Sequence, residues 1–579
     1  MDLRASAIPI AIVVLAAVLR LWRLELDAQN PFYDAAVRSM GSSWHNFFFG
    51  AFDPGGSLAI DKPPVDLWLQ VASTKLLGFT RTALALPEAL GGIAAVALLY
   101  AAVARACGRI AGNLAALALA VLPISVLTSR SDTMDSVMSA LLIAALWSSI
   151  VAVGRRQARY VLLSAALVGV AFNVKLTQAL IPLPALALLW WAASSRGRRI
   201  ALGAASAAVL VAVAMTWAFT ASLTPLSERP FPIGSHTGSI YKAIFVFNGI
   251  ERLTGSRYAL APVGFASSPG VTRLVSAARP HYATLIGLEL VAALALALAA
   301  AVLWLAGRDA HGTRVAGKRA PPEDRAVRWL VGALVLWLTI AYVLFSAVGS
   351  LQPRYLEAMS PAVAGLLGIA LAYLLRDALT ARGAWLCAGA LAVNAAYASL
   401  VGEPSDVGVL VCLLASAAAI AGLCVGPLRR LLLEARSAGA PRPRALLLAA
   451  VSLALFAAPA DASIDLVEER AGDANPSGSG SQFSSYLRAH RGGARYETAA
   501  ASPLSVAGLI VQDAQPVLIM RDVDGKLVSL PRLQRLVREG AVRFIILPNA
   551  CSSGRHCSAT TAWSVRHAVM VRPGLYRYR

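Results

Sequence analysis

Long apolar stretches alternate with short polar ones along nearly the whole chain. Thirteen apolar runs approach the roughly 20 residues that a bilayer-spanning helix needs. They are Ala5–Leu24, Ala83–Ala106, Ile110–Thr128, Met134–Val153, Val161–Phe172, Thr177–Trp191, Ile200–Ser222, Tyr282–Leu305, Trp329–Val348, Ala358–Leu375, Ala384–Leu400, Val407–Val425 and Ala445–Ala458. The fifth, sixth and last are short. Two polar connections are long, 25–82 and 223–281, and both are rich in Trp, Tyr, Phe, Asn and Asp. The pattern predicts a polytopic α-helical membrane protein of about 13 spans. After Ala458 the pattern changes: DANPSGSGSQ (473–482) has linker composition, and a βαβ-like rhythm follows. Strands are expected at Arg495–Thr498, Pro516–Met520 and Val542–Leu547, with a helix over Leu530–Glu539. The expected organisation is a membrane domain over 1–460, a linker over 461–482 and a small α/β domain over 483–579.

Composition agrees with lipid as the main solvent. The 579 residues are 58% hydrophobic and 14% charged, with mean hydropathy +0.64, against about 25% charged in soluble domains. The net charge of +21 does not point to nucleic acid, because the Arg residues cluster in short connections between apolar runs. With the N-terminus inside, every inside connection is basic: Arg105 and Arg109; Arg155, Arg156 and Arg159; Arg196, Arg198 and Arg199; Arg308 to Arg325; Arg376 and Arg382; Arg429 to Arg444. That bias orients membrane proteins. An odd span count puts the C-terminus and both long loops outside, on the extracytoplasmic face of a bacterial cytoplasmic membrane. The run after Met1 lacks a cleavage site and is expected to be a retained first helix.

The groups that carry chemistry collect at that outer face. The first long loop holds Tyr33, Asp34, Asp61 and Lys62, with Pro63 and Pro64 stiffening the backbone after the lysine. Arg130-Ser-Asp132-Thr-Met-Asp135 opens the fourth span. There an ionisable group is expensive and usually faces a polar cavity, and the spacing predicts Asp132 and Asp135 on one helical face. Asp132 also has the chemistry of an N-cap. Lys175 sits between the fifth and sixth spans, where simple snorkelling to the interface also accounts for it. Arg354 and Tyr355 open the tenth span, and Arg suits bidentate phosphate binding. Asn248 and Arg252 lie in the second long loop. Six Cys are present: four lie in or beside apolar runs, while Cys551 and Cys557 are disulfide candidates if their region is extracytoplasmic. No metal-ligand cluster is legible. Cations at headgroup level could hold a lipid-linked phosphate while a carboxylate deprotonates an acceptor.

Several segments resemble the C-type membrane glycosyltransferase superfamily, in the bacterial branch related to protein O-mannosyltransferases and the lipid A aminoarabinose transferase: FYDAAVRSM (32–40), SWHNFFFGAFDPGG (43–56), DKPPVDLWLQ (61–70), RSDTMDS (130–136), GVAFNVKLTQ (169–178), FNGIERLTG (247–255), and Arg354-Tyr-Leu with Ser-Pro-Ala-Val-Ala after it. The resemblance is strongest to mannosyltransferase-like proteins with an extracytoplasmic C-terminal domain. It implies transfer of a sugar from a polyprenyl-phosphate monosaccharide to a glycan, lipid or protein acceptor. It implies an inverting mechanism that is metal-independent or loosely metal-linked, with no required cofactor. Asp34, Asp61 or Asp135 would be the base or orient the acceptor. Lys62, Lys175 and Arg354 would bind phosphate, with Tyr33, Asp132, Asn248, Arg252 and Tyr355 lining the substrate site. One departure stands out: where the superfamily places an Asp-Glu pair before Tyr33, this chain has Gln29 and Asn30. A lipid-glycan flippase, a glycan polymerase or ligase, and an inactive lipid-sugar-binding homologue are the alternatives.

Overall fold

The computed structural model describes residues 3–27, 30–254, 268–310, 322–349, 351–403, 406–437, 441–469, 480–521, 527–547 and 558–579. Cys551 and Cys557 lie outside them. The first half of the membrane domain comprises α1 (Leu3–Leu21), α2 (Pro31–Met40), α3 (Trp44–Phe49), α4 (Val65–Leu77), α5 (Arg81–Cys107), α6 (Arg109–Val121), α7 (Pro123–Ser129), α8 (Asp135–Arg155) and α9 (Ala158–Lys175). Among the described residues eleven helices are long and apolar enough to cross a bilayer, and α6 with α7 makes a twelfth candidate bent by 61°. The expected run Thr177–Trp191 holds only an 11-residue apolar helix, Leu183–Ala193. At 1.5 Å per residue it reaches about 16 Å, half the hydrocarbon thickness. Pro182 precedes it and Pro184 falls in its first turn.

The α6–α7 bend has a residue-level cause. Pro123 lacks an N–H and cannot continue α6, which frees carbonyls at the break. The guanidinium of Arg20, fully buried in α1, takes them up: Nη1 donates to Ala120 O at 3.0 Å and Nη2 to Leu119 O at 3.1 Å, while Nε donates to Ser129 Oγ at 3.1 Å. Arg130, at the far end of α7, returns the contact. It bonds the carbonyls of Leu19 and Trp22 at the end of α1 and forms a fully buried ion pair with Asp27, 2.7 Å. Two arginines thus lock the first span to the broken one that leads to Asp135.

The two long loops are joined. β1 (Leu58–Ala59) pairs in parallel with β2 (Phe231–Pro232), so the site can draw side chains from both. The small C-terminal domain contains a five-stranded sheet in the order β4-β3-β5-β7-β6, formed by β3 (Ala499–Ala500), β4 (Leu518–Ile519), β5 (Phe544–Ile546), β6 (Ala568–Arg572) and β7 (Leu575–Tyr578). The helix Leu530–Arg538 and the strands β4 and β5 fall where the alternation placed them. The first strand forms at Ala499–Ala500, just after the expected Arg495–Thr498, where both alanines are buried, one on each face of the sheet, and pair in register with Ile545 and Ile546. The last membrane helix runs on to Glu468, so helix occupies part of the expected linker. The helix Ala507–Asp513 packs against α2, bringing this domain onto the loop that carries Tyr33.

Candidate functional site

The site is assembled from helix ends and loop turns. Asn30 caps α2 by accepting Phe32 N at 3.1 Å, which fixes the first turn and with it Tyr33 and Asp34. Consecutive prolines at 63 and 64 stiffen the backbone before α4, and Asp61 and Lys62 are largely buried. Lys62 Nζ donates to Tyr33 OH at 2.8 Å and to Asp61 Oδ1 at 2.9 Å. The second loop answers from a π-helical stretch, Lys242–Glu251, a geometry frequent at functional sites. From it Asn248 Nδ2 donates to Asp61 O at 2.6 Å. Arg252 then bridges three partners: Asp61 Oδ2 at 3.3 Å, Tyr355 OH at 3.0 Å and Asn248 Oδ1 at 3.0 Å.

Below this ring lies the second ion pair. Lys175, the last residue of α9, is ion-paired with Asp135, the first of α8, and donates to Thr133 O at 3.1 Å. Its ammonium lies 5.7 Å from the centroid of the Tyr355 ring, and the Arg354 guanidinium lies 5.8 Å from the same ring. Tyr355 is therefore the hub that joins Lys175, Arg252 and Arg354. Gln178 and Thr177 tie α9's exit to the Tyr355 and Asn248 carbonyls at 3.1 Å each. Tyr33, Asp61, Lys62, Asp135, Lys175, Asn248, Arg252, Arg354 and Tyr355 are brought together from five separate chain segments.

Asp34 and Asp132 form a separate carboxyl pair beside this ring. The expectation that Asp132 shares a helical face with Asp135, or caps that helix, is corrected by the structure. α8 begins at Asp135 and its N-cap is Met134, in the left-handed region at φ 72° with no side-chain cap bond. Asp132 precedes the helix, turns the other way, and accepts Asn30 N at 3.2 Å. The left-handed turn at Met134 separates the two aspartates.

Charge follows this geometry. Burial works against ionisation of Asp61, yet Lys62 and Arg252 beside it hold its carboxyl below the ordinary value. For Lys62, too, burial opposes the charge, and Asp61 with Tyr33 more than restores it, so its affinity for the proton is raised. Asp34 behaves oppositely: burial and the adjacent Asp132 push it well above the usual carboxylate range. Its Oδ1 has no hydrogen-bond partner among the described residues. The site thus contains one carboxylate held in the ionised form, Asp61, and one with a raised affinity for the proton, Asp34. No group of three His, Cys, Asp or Glu among the described residues is arranged to hold a metal.

Residues 61–219 match the family described as dolichyl-phosphate-mannose-protein mannosyltransferase, and residues 483–567 match "Putative mannosyltransferase YkcB-like, C-terminal". The two matches together take in less than half of the chain. Two proteins of Bacillus subtilis (strain 168) are similar to it: "Putative mannosyltransferase YycA", 33% identical over 45% of this chain, and "Putative mannosyltransferase YkcB", 30% identical over 42%. The matched stretches cover 38% and 34% of those relatives' own lengths. Among solved structures, ArnT from Cupriavidus metallidurans bound to undecaprenyl phosphate aligns over 99% of this chain and 98% of its own, with TM-score 0.55 and 17% identity. The oligosaccharyltransferase AglB from Archaeoglobus fulgidus, in complex with an inhibitory peptide and a dolichol-phosphate, aligns over 94% of this chain and 69% of its own, with TM-score 0.52 and 12% identity. At these identities the likeness is one of fold.

Some polar residues of this membrane domain escape a motif reading. Asp66, Gln70 and Glu88 are fully buried beneath Asp135. Gln70 Nε2 bonds Asp66 Oδ2 at 2.7 Å and Asp132 O at 3.1 Å. The carboxyls of Asp66 and Glu88 lie against each other. Glu88 was legible in principle: it is a lone acid within the apolar run Ala83–Ala106, and an ionisable group inside a span marks a functional region by default.

Proposed function

We propose that this protein is a glycosyltransferase that moves a sugar from a polyprenyl-phosphate monosaccharide to an acceptor at the outer face of the cytoplasmic membrane. The observation that carries the reading is the convergence of Lys62, Arg252, Arg354 and Lys175 around Tyr355, Asp61 and Asp135. Four cations gathered around one tyrosine have the chemistry to hold a lipid phosphate. Charge on that phosphate grows as the glycosidic bond breaks, so preorganised cations favour the transition state over the bound donor. Tyr33 and Tyr355 hydroxyls, already in contact with Lys62 and Arg252, would add neutral donors to the same oxygens.

In the transfer step the acceptor oxygen forms a bond to the anomeric carbon. The bond from that carbon to the phosphate oxygen breaks, and its electron pair stays on the phosphate. The acceptor proton passes to a carboxylate. Asp61 is a poor base, because Lys62 and Arg252 hold it ionised, and Asp135 is occupied by its ion pair with Lys175. Asp34 is the better base: it has an unused oxygen and a raised proton affinity supported by Asp132. Its position also bears on the missing Asp-Glu pair, since Asp132 contacts the backbone of Asn30 directly. Attack from the face opposite the phosphate would invert the anomeric centre.

The test is incubation of the purified full-length protein in membranes with radiolabelled polyprenyl-phosphate mannose, glucose and arabinose, followed by identification of the labelled product. Transfer that is lost in Lys62→Ala supports the proposal. Binding of donor with no transfer to any envelope fraction would favour an inactive lipid-sugar-binding protein, and movement of intact donor across the bilayer a flippase.

A further inference from the structure

A second cavity lies at the other end of the bundle. Cys107 ends α5 about 28 Å along the helix from Glu88, at 1.5 Å per residue. There the α5–α6 turn, the end of the helix Ser360–Asp377 and the first turns of the helix Pro441–Glu468 enclose about 460 Å³. Its lining divides by chemistry. Ile110, Leu375, Leu447 and Leu448 make an apolar wall, while Arg109 and Arg376 line the same space. Neither guanidinium has a hydrogen-bond or ion-pair partner among the described residues, whereas Arg20 and Arg130 are fully engaged.

A third guanidinium stands at the cavity's edge. Leu379 lines the cavity, and its carbonyl accepts Nη2 of Arg429 at 2.9 Å. Arg429 belongs to the short helix Gly426–Ser437, which packs on the ends of the helices Val407–Cys424 and Pro441–Glu468. Its Nε is buried and has no hydrogen-bond partner among the described residues. On this helix Leu428 and Leu433 are exposed, alongside arginines, as in a segment lying at a membrane surface.

We propose that this cavity is a binding site for an anionic phospholipid, with the head-group phosphate between Arg109 and Arg376 and an acyl chain along Leu447 and Leu448. Unpaired guanidiniums next to an apolar wall select a ligand that is an anion at one end and a hydrocarbon at the other. A free phosphate would leave the wall uncovered. A zwitterionic head group would set its ammonium against the remaining guanidiniums. The site is independent of the donor pocket, which lies at the opposite end of the same helices.

The experiment is native mass spectrometry of the delipidated full-length protein titrated separately with phosphatidylglycerol, phosphatidylcholine and inorganic phosphate. The wild type is expected to retain phosphatidylglycerol with about a tenfold or greater preference over phosphatidylcholine. The double variant Arg109→Gln, Arg376→Gln is expected to lose that preference while keeping its size-exclusion profile. Arg155→Gln with Arg156→Gln, at the same face but outside the cavity, is expected to keep it. Equal retention of the two lipids, a preference that persists in the Arg109/Arg376 variant, or phosphate binding as well as the lipid does would each overturn the assignment.

Discussion

Glu88, two turns into the membrane helix α5, caps a different helix: its Oε2 accepts the backbone N of Ser136 at 2.6 Å, and its Oε1 accepts Val137 N at 3.3 Å. Met134 occupies the N-cap position of α8 and supplies no side-chain bond. The first amides of α8 would otherwise be orphaned, so Glu88 provides from α5 the capping that α8 lacks locally. The approach requires glycine: a Cβ on Gly91 would sit 2.9 Å from Val137 N, and one on Gly92 would collide with Ser129 Oγ. Pro87-Glu88-Ala-Leu-Gly91-Gly92 therefore encodes a docking surface for the helix start that bears Asp135.

Glu88 is accordingly expected to position Asp135 and Lys175 without touching substrate. Glu88→Ala should lower kcat by about 10- to 100-fold, the scale of a displacement near 1 Å. Donor affinity, set by Lys62 and Arg252, should change by less than about threefold. Glu88→Gln retains one carbonyl acceptor and should recover part of kcat. Steady-state kinetics separating kcat from KM read this out, and a uniform loss of folded protein in both variants would contradict it.

The phosphate-binding assignment predicts a different signature. Lys62→Met and Arg252→Met each remove a charge-assisted contact, so each should weaken polyprenyl-phosphate binding by about 10- to 100-fold. The losses should be less than additive, because both residues bind Asp61 and one truncation reorients the other. Direct binding of polyprenyl phosphate, measured without turnover, distinguishes this from a catalytic defect. Unchanged affinity in both variants would remove these residues from the donor site.

The membrane architecture was legible because bilayer thickness imposes run length on the sequence, and every run except Thr177–Trp191 became a long helix or the bent pair. The loop motifs were legible because Asp61-Lys62-Pro63-Pro64 and Arg354-Tyr355 concentrate charge where charge is rare. Other features depended on the folded backbone. Asp132 and Asp135 look helical by spacing, but the positive φ at Met134 sends them into different environments. Arg20 lies inside the first apolar run, Ala5–Leu24, and no local pattern shows that it is consumed by carbonyls freed at Pro123, 103 positions later in the chain. Glu88 carried a signal in its solitude, but its partner amides belong to a helix 48 residues away, which no local pattern specifies.

The C-terminal domain carries its own pH dependence. Burial, followed by the hydrogen bond and charge of Asp513, raises Glu497 to about 8. Its folded-state affinity for the proton exceeds the unfolded value, so its contribution to stability is complete below about pH 4.3. That contribution declines as pH rises and is lost through pH 8. Hydrogen exchange in the full-length protein should show β3 and β4 losing protection between pH 6 and 9, because Glu497 immediately precedes β3's approach and its N–H bonds Pro516 O at 2.9 Å. Glu497→Gln, neutral throughout, should flatten the profile. A profile of the same slope in the variant would assign the effect to another group.

Asp34 as general base makes a prediction that its neighbour controls. Asp34 must be ionised to accept the acceptor's proton, and burial together with Asp132 makes it hold a proton well above the usual range. The acid limb of the kcat/KM profile should therefore lie above that of an isolated carboxylate. Asp34→Asn should lower kcat by about 10²- to 10⁴-fold while leaving polyprenyl-phosphate affinity nearly unchanged, since Lys62 bonds Tyr33 and Asp61 but not Asp34. Asp132→Asn removes the like charge, so Asp34 should ionise more readily and the acid limb should move to lower pH. Asp61→Asn should leave the limb in place, because Asp61 is already ionised across that range. A profile that stays fixed in Asp132→Asn, or full transfer by Asp34→Asn, would show that another carboxylate takes the proton.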